Sequence, residues 1–519
     1  MVLLLLIFFV PLLSIIGYFL QSRGIRRAYI WLLITTGSII VWILLISIQP
    51  DQIVPITFSE WFRVGEDTVD LVFELTDQNW VIAISASSML LMYFLTTIAR
   101  LEAKRDLIRW IFISFVFSLF LLSIFASNLW ALLITWTAMD ILFLGFYLVI
   151  FREESRSNLV KSAIFRFIGS GFLVWITAFY SRPGINLSLV EIPAKAAIIL
   201  YIAALLHSGA VPIQEKMTGE NLEGNDLIGF TYEISLFSSS LFLIKYIPDF
   251  NPGIIPLFIS RLIASIFIFV FSYRWIMEKS TYLSIKYAEL SIVSISVLLI
   301  MNNTQASIIF WLAFFMIGLL FQIFQTHRSR SLYIFNILFF ISVSSMPFAL
   351  FTLGIRGFPI FELSLKTIPV FLGHVFLLIG LYRKLSESHF KYEVLENWYQ
   401  VVYTVGLFFP LLAIAVIVFR NLSSLLVEIK FWWAGLVGAI IFILGLYFFN
   451  RMKINLVYDN KSKKIAEFLK LDWIYTITAS VEQRFQNLIL GFSKLLEGDG
   501  GIIWSFVVII LLISVIQIG

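Results

Sequence analysis

Cysteine is absent from this chain of 519 residues. Disulfides, thiolate metal sites, iron–sulfur clusters and cysteine nucleophiles are therefore excluded. Charge is also scarce, because charged residues make up 13% of the sequence against about 25% in an average soluble domain, whereas hydrophobic residues make up 60%. A soluble fold is excluded. We predict no cofactor and no metal ion, and we expect any electron transfer to take place in other proteins.

Long hydrophobic runs dominate what remains, and the mean hydropathy is +0.95. A membrane span needs roughly 20 mostly apolar residues, and lipid leaves the helix as the backbone structure for such a run, because every peptide group must be paired within the segment. The sequence predicts an all-α membrane protein with about sixteen transmembrane helices. The predicted spans cover residues 2–20, 29–48, 79–98, 107–126, 128–151, 160–180, 196–219, 226–247, 253–277, 282–301, 304–326, 332–353, 367–383, 399–419, 430–450 and 501–518.

The basic residues predict the orientation. Most of the 37 Lys and Arg residues fall in alternate connections, beginning with Arg23, Arg26 and Arg27. Connections rich in Lys and Arg stay on the cytoplasmic side. We therefore expect a multi-pass protein of the cell (inner) membrane with both termini outside, and with the acidic 49–78 connection also outside. Because topology explains the net charge of +5, we expect no nucleic-acid partner.

The sequence predicts three regions. Residues 1–450 form a transmembrane bundle, residues 451–500 an inner-surface amphipathic helix, and residues 501–519 a final transmembrane helix. Within the second region, apolar residues recur at helical spacing over 461–497, with charged residues between them. This helix either lies on lipid alone or packs against other integral membrane subunits. The predicted partners are therefore the bilayer and further membrane subunits.

Ionisable side chains inside the predicted spans are few. Each costs at least roughly 2.5–3.5 kcal/mol in the bilayer, so each is a functional candidate. Lys245, Lys286 and Arg274 lie near span ends, where we expect their side chains to snorkel to the interface. The full set within the spans is Asp140, Arg166, His207, Glu233, Lys245, Arg261, Lys286, Glu289 and His374.

Four of these residues suit a proton relay, namely Asp140, His207, Glu233 and Glu289. An imidazole has an ordinary pKa of about 6.5, which makes both of its protonation states accessible near neutral pH. Pro212 follows His207 in the same predicted span and predicts a helix kink that leaves room for water.

A structural alternative explains the same residues without proton movement. Asp140 then pairs with Arg166, and Glu289 with Arg261 or Lys286, as buried ion pairs. The sequence leaves both interpretations open.

Several segments resemble the antiporter-like subunits of respiratory complex I and of Mrp-type antiporters. Residues 207–214 (HSGAVPIQ), followed by Tyr232, resemble the seventh and eighth helices of that family. Residues 128–136 (NLWALLITW), 285–291 (IKYAELS) and 313–316 (AFFM) resemble its fifth, tenth and eleventh helices. Each motif is degenerate, but together they cover most of the chain in the family's order. Sixteen spans and a surface helix before the last one are most similar to the largest complex I antiporter-like subunit.

The resemblance implies a subunit of an NADH:quinone oxidoreductase-like translocase of a respiratory chain, not catalytic alone, through which protons or Na⁺ move. The family's charged positions are altered here. A Glu is replaced by Thr137 with Asp140 one turn on, and two further positions hold His207 and Tyr232, with Glu233 beside the latter. The last two fall on Met316 and Ile355. The predicted proton path therefore comprises Asp140, His207, Tyr232, Glu233 and Glu289, and its outer half has lost its charged steps.

The sequence leaves two functions open and gives less support to a third, a membrane enzyme that acts on lipid. The chain is either a translocating subunit with a rewired relay or a degenerate subunit that docks or seals such a complex. A lipid-modifying enzyme would need a polar cluster at an interface, and the dense one in 49–78 contains no histidine.

Overall fold

The structure is a computed structural model. It describes residues 2–64, 67–98, 106–150, 156–180, 188–211, 224–248, 254–278, 280–325, 327–328, 330–344, 346, 349–350, 353, 367–386, 390–391, 395–422, 432–452, 480 and 483. The chain divides into two compact units, residues 1–456 and 457–519. The predicted surface helix and the predicted last span lie outside the described residues, apart from Ser480 and Gln483.

The described residues form fifteen α-helices. They are α1 (Val2–Ser22), α2 (Arg27–Ser47), α3 (Asp77–Thr97), α4 (Asp106–Phe125), α5 (Leu129–Ile150), α6 (Arg156–Tyr180), α7 (Ala197–His207), α8 (Gly224–Leu241), α9 (Ile254–Met277), α10 (Thr281–Met301), α11 (Ile308–Phe324), α12 (Arg330–Val343), α13 (Ile368–Ser386), α14 (Asn397–Arg420) and α15 (Trp432–Met452). A 3₁₀ helix, Phe242–Tyr246, continues α8.

The predicted all-α membrane class is confirmed. Each described helix falls on one predicted span, and ten of the described helices are long and apolar enough to cross a membrane. Shorter apolar helices, among them α7 and α12, occupy further predicted spans. The total of sixteen spans stays a prediction, since the predicted last span is not among the described residues.

The acidic connection before α3 contains a hairpin that the sequence analysis did not predict. Strands β1 (Ile56–Val64) and β2 (Asp67–Phe73) pair antiparallel, with an irregularity between Phe58 and Phe62. Glu60, at this irregularity, has a positive φ of 51°, which is uncommon outside glycine. Strands β3 (His327–Arg328) and β4 (Phe390–Lys391) pair in parallel between two other connections.

The helices differ in how much of their surface the bundle covers. Helices α3, α10 and α11 are buried almost throughout, and they form the core beside α8. Helices α1, α2 and α9 instead expose large apolar side chains, such as Tyr29 and Ile255. An apolar exposed face carries no penalty in lipid, so this surface suits the bilayer or neighbouring membrane subunits.

Small residues bring neighbouring helices into close contact. Gly169 of α6 lies against the backbone of α7, where an added Cβ would come within 2.9 Å of the Ala203 oxygen and of the His207 nitrogen. Membrane helices approach through such small residues. This contact sets the position of His207 relative to α6.

Candidate functional site

Asp140, Arg166 and His207 meet in the interior of the bundle, from α5, α6 and the end of α7. Asp140 Oδ2 lies 3.4 Å from His207 Nε2, and Asp140 Oδ1 lies 3.8 Å from Arg166 Nη1. All three residues are at most 2% exposed. Both separations exceed a good hydrogen bond, and neither carboxylate oxygen has another hydrogen-bond partner among the described residues.

The His207 ring is held on two other sides. Its face stacks on Trp136, with ring centroids 3.7 Å apart and planes 6° from parallel. Its Nδ1 lies 2.7 Å from Ser240 Oγ of α8, and that hydroxyl also donates to the Leu236 carbonyl at 2.8 Å. Because the Ser240 hydroxyl donates to the Leu236 carbonyl, its oxygen accepts a hydrogen bond from the His207 Nδ1–H, which leaves Nε2 facing Asp140.

Tyr232 of α8 lies beside the same group. Arg166 Nη1 donates to the Tyr232 hydroxyl at 3.1 Å, and that hydroxyl donates to the Met139 carbonyl at 3.4 Å. The phenol ring stacks on Phe143 at 4.1 Å, and the Arg166 guanidinium lies 4.5 Å from the Phe143 centroid. The hydrogen bond to Tyr232 and the neighbouring Phe143 ring therefore hold the Arg166 guanidinium in place.

Helix α7 ends at His207. Ser208 and Gly209 form a turn, in which Gly209 has a φ of +69°, a conformation that favours glycine at a helix C-terminus. The sequence analysis predicted a continuous helix over 196–219 with a kink at Pro212. That prediction is wrong for residues 208–211, where the helix is already interrupted. Pro212 itself lies outside the described residues.

Because the helix is interrupted here, the Gly209 carbonyl can accept a hydrogen bond from a second charged residue, Lys286. The Lys286 ammonium of α10 donates to the Gly209 carbonyl at 3.2 Å and to Glu289 Oε2 at 2.9 Å. Its Nζ also lies 3.6 Å from Glu233 Oε2 of α8. Unwound carbonyls at broken membrane helices commonly bind cationic groups in transporters. The prediction that Lys286 snorkels is wrong, because its side chain is 4% exposed and points into the bundle.

Six ionisable side chains thus form one buried group, which we call the buried charge cluster. Its members are Asp140, Arg166, His207, Glu233, Lys286 and Glu289, all at most 4% exposed. Two connections join its halves. Tyr232 and Glu233 are consecutive on α8, and Gly209 follows His207 by two residues. The structure brings together every residue of the predicted proton path.

Other candidate residues lie apart from this cluster. Arg261 donates to the Met301 carbonyl at 2.8 Å rather than to Glu289. His374 of α13 is fully buried, with its ring centroid 5.0 Å from Phe314 and 5.8 Å from Trp311 of α11. Among the altered family positions, Thr137 donates to its own helix at Leu133, Met316 is buried, and Ile355 lies outside the described residues.

Ser240 is a partner of His207 that the sequence did not predict, whereas the Lys286–Glu289 ion pair is one of the pairs that the sequence left open. The motif 285–291 does place Lys286 three residues before Glu289, one helical turn away, which is a signal for an intrahelical ion pair. Within the described part of the chain, no group of His, Asp and Glu side chains has the arrangement of a metal site.

Comparisons with known proteins agree with the fold and add little at the sequence level. No protein-family model matches the chain, and no curated protein is similar enough to be matched. One solved structure that is similar is a chain of the membrane-bound sulfane sulfur reductase, an archaeal respiratory membrane complex. It has 14% identity and a TM-score of 0.58, and the match covers 99% of this chain and 100% of that one.

A second similar structure is a chain of the Mrp complex from Dietzia sp. DQ12-45-1b. It has 11% identity and a TM-score of 0.62, and the match covers all of this chain but 63% of that one. At these identities the likeness concerns the fold. The chain has the fold of the antiporter-like membrane subunits that its sequence resembles.

Proposed function

We propose that this chain is a membrane subunit of an antiporter-like, complex I-like or Mrp-like assembly, and that its buried charge cluster moves protons across the membrane. The observation that carries the proposal is the composition of the cluster. Three carboxylates face two cations and one imidazole, all removed from solvent. With His207 neutral, three negative charges against two positive ones leave one net negative charge.

An uncompensated charge in a low-dielectric interior is costly, so the cluster is most stable when it holds one additional proton. His207 and Asp140 are the groups placed to share that proton, at 3.4 Å. The cluster is then neutral after it takes up a proton and carries one net negative charge after it releases the proton. An ion pair that only stabilised the fold would not need an unequal number of charges.

Lys286 links the shared proton to the two remaining carboxylates. Its ammonium lies 2.9 Å from Glu289 and 3.6 Å from Glu233, so a small movement of one side chain exchanges its closest partner. The carboxylate that loses the ammonium becomes the better proton acceptor. In this scheme Lys286 stays protonated. The carboxylate that lies farther from its ammonium, Glu233 or Glu289, binds the transferred proton.

The test is proton flux in vesicles that contain the assembly purified from native membrane. We expect His207→Leu to reduce flux driven by an imposed potential by at least about 100-fold, the lower range for loss of a proton-transfer group. The variant should still assemble, because leucine has a similar volume and suits an apolar site. Repeating the assay with and without Na⁺ distinguishes the transported cation.

His374→Leu is the matched control, since it makes the same chemical change at another fully buried histidine outside the cluster. We expect it to retain flux. Wild-type flux in an assembled His207→Leu variant would overturn the proposal. That result would favour a docking subunit, because the His207 imidazole would then contribute only to packing.

A further inference from the structure

Helix α8 and its 3₁₀ extension carry a line of polar residues away from the cluster. Thr231, Ser235, Ser238 and Lys245 follow spacings of four, three and seven residues. At about 100° per residue, these spacings place them within one narrow sector of the helix surface. We call these residues the α8 polar stripe. They run from beside Glu233 toward the end of the span that precedes α9.

The first two residues of the stripe face α3, α4 and α11. Thr231 and Ser235 line a cavity of about 20 Å³ together with Ala86 and Tyr93 of α3 and Met316 of α11. This volume is about what one water molecule needs. At the other end, Lys245 Nζ donates to Asn79 Oδ1 of α3 at 2.6 Å.

Ser238 lies between these two points and is completely buried. Its hydroxyl has no hydrogen-bond partner among the described residues. Buried hydroxyls in native proteins are almost always bonded, and leaving one unbonded costs about 1–3 kcal/mol. A bound water molecule would satisfy this hydroxyl of the stripe, which has no partner in the described part of the chain, and such water is what a proton passage requires.

Three consecutive serines connect the stripe to the cluster. Ser240 contacts His207 Nδ1 at 2.7 Å, whereas Ser238 lies two residues earlier, about 200° around the helix. Ser239 occupies the intermediate direction, and all three residues are at most 1% exposed. The Ser239 and Ser240 hydroxyls both donate to the Leu236 carbonyl, so the three serines span about 200° of α8 between the His207 contact and the stripe.

The far end of the stripe reaches the surface. Asn79, which accepts from Lys245, itself donates to the Glu74 carbonyl at 3.0 Å. The Glu74 carboxylate accepts from Ser127 at 3.3 Å and is partly exposed, and Asp77 beyond it is exposed. Asn79 therefore links Lys245 to Glu74, which belongs to the acidic 49–78 connection that is predicted to lie outside.

We propose that the α8 polar stripe is the outer half of the proton path, with Lys245 as its last proton carrier. This inference rests on the proposed function of the cluster. A proton released by His207 passes along water bound to the serine band and the stripe to the Lys245 amine. The resulting ammonium releases one proton to outer water beside Glu74 and returns to the amine. The route leaves the bundle between α3 and α8 and does not need charged groups at Met316 or Ile355.

Accessibility to a small ion tests the passage directly, since the chain contains no cysteine of its own. Ag⁺ ions added from outside should react with Ser238→Cys in the assembled complex and block later maleimide labelling of that chain after unfolding. Leu243→Cys is the matched control, because Leu243 is also buried but lies about 180° away around the helix, after three α-helical and two 3₁₀ steps. Full maleimide labelling of Ser238→Cys after Ag⁺ treatment overturns the passage.

Proton flux tests the role of Lys245. Lys245→Met should reduce flux at least about tenfold, and Lys245→Arg should do the same because a guanidinium keeps its charge but does not release its proton. Wild-type flux in assembled Lys245→Arg overturns the carrier role. If His207→Leu abolishes flux while Lys245→Met conducts normally, this inference alone fails. If His207→Leu also conducts normally, the proposed function fails as well.

Discussion

The imidazole of His207 lies flat on the indole of Trp136, with centroids 3.7 Å apart and planes inclined by 6°. The stack fixes the plane of the imidazole, so that Nε2 faces Asp140 while Nδ1 faces Ser240. An indole face also attracts a cation, which favours the protonated ring. Trp136 is therefore a positioning residue that acts through His207.

Replacing Trp136 by leucine should lower proton flux without preventing assembly. The loss of a cation–π contact worth about 0.5–2 kcal/mol corresponds to a reduction of about twofold to thirtyfold. Trp136→Phe, which keeps an aromatic face, should recover part of the flux. Trp175→Leu serves as the control, because Trp175 is 42% exposed on α6. Equal flux in Trp136→Leu and the wild type would contradict the positioning role.

Removing the Lys286 ammonium should destabilise the bundle. Lys286→Met leaves Glu233 and Glu289 buried without their cation, and breaking a buried ion pair from one side costs about 3–5 kcal/mol. Thermal unfolding of the solubilised complex measures this loss. Adding Glu289→Gln to Lys286→Met removes one stranded carboxylate and should restore part of the stability. Lys195→Met, at an exposed lysine, should have no effect. An unchanged unfolding temperature for Lys286→Met would refute the buried pair.

Two glycines of α6 provide a matched test of helix packing at the site. A Cβ at Gly169 would meet the His207 nitrogen at 2.9 Å, whereas a Cβ at Gly171 meets nothing within 4 Å. Gly169→Ala should therefore push α7 away from α6, costing about 1–3 kcal/mol of stability and reducing flux. Gly171→Ala should be neutral or slightly stabilising, because alanine favours the helix. Similar effects of the two substitutions would show that α6 and α7 do not pack as described.

The predicted orientation is open to cysteine labelling with an impermeant thiol reagent. Val54 precedes β1 and is 81% exposed, and Ser386 is exposed at the end of α13. The Lys and Arg distribution predicts that Val54→Cys reacts from outside and Ser386→Cys from inside. Labelling of both positions from the same side would require a different number of spans between them.

The sequence by itself determined the helices, because in lipid each backbone group pairs within its own segment, so that a run of apolar residues specifies a helix with little help from distant residues. Helices α3, α9 and α10 begin and end within about two residues of the spans predicted for them. The same reasoning identified Asp140, His207, Glu233 and Glu289, since an ionisable residue in an apolar run is conspicuous. The β1–β2 hairpin was not predicted, because its short strands mix apolar and polar residues and lie outside such runs.

Only the tertiary structure decided which of these groups meet. From the sequence, Lys286 either extends along its own helix toward the interface or pairs with Glu289, but its ammonium also binds the Gly209 carbonyl, 77 residues earlier in the chain. That contact exists because α7 ends at His207 and turns at a glycine with positive φ, which leaves a carbonyl without a helical partner. Arg166 likewise selects Tyr232 and Asp140 across 66 and 26 residues. A buried charge takes whatever partner the packing of other helices brings within reach, and a local apolar pattern contains no information about that choice.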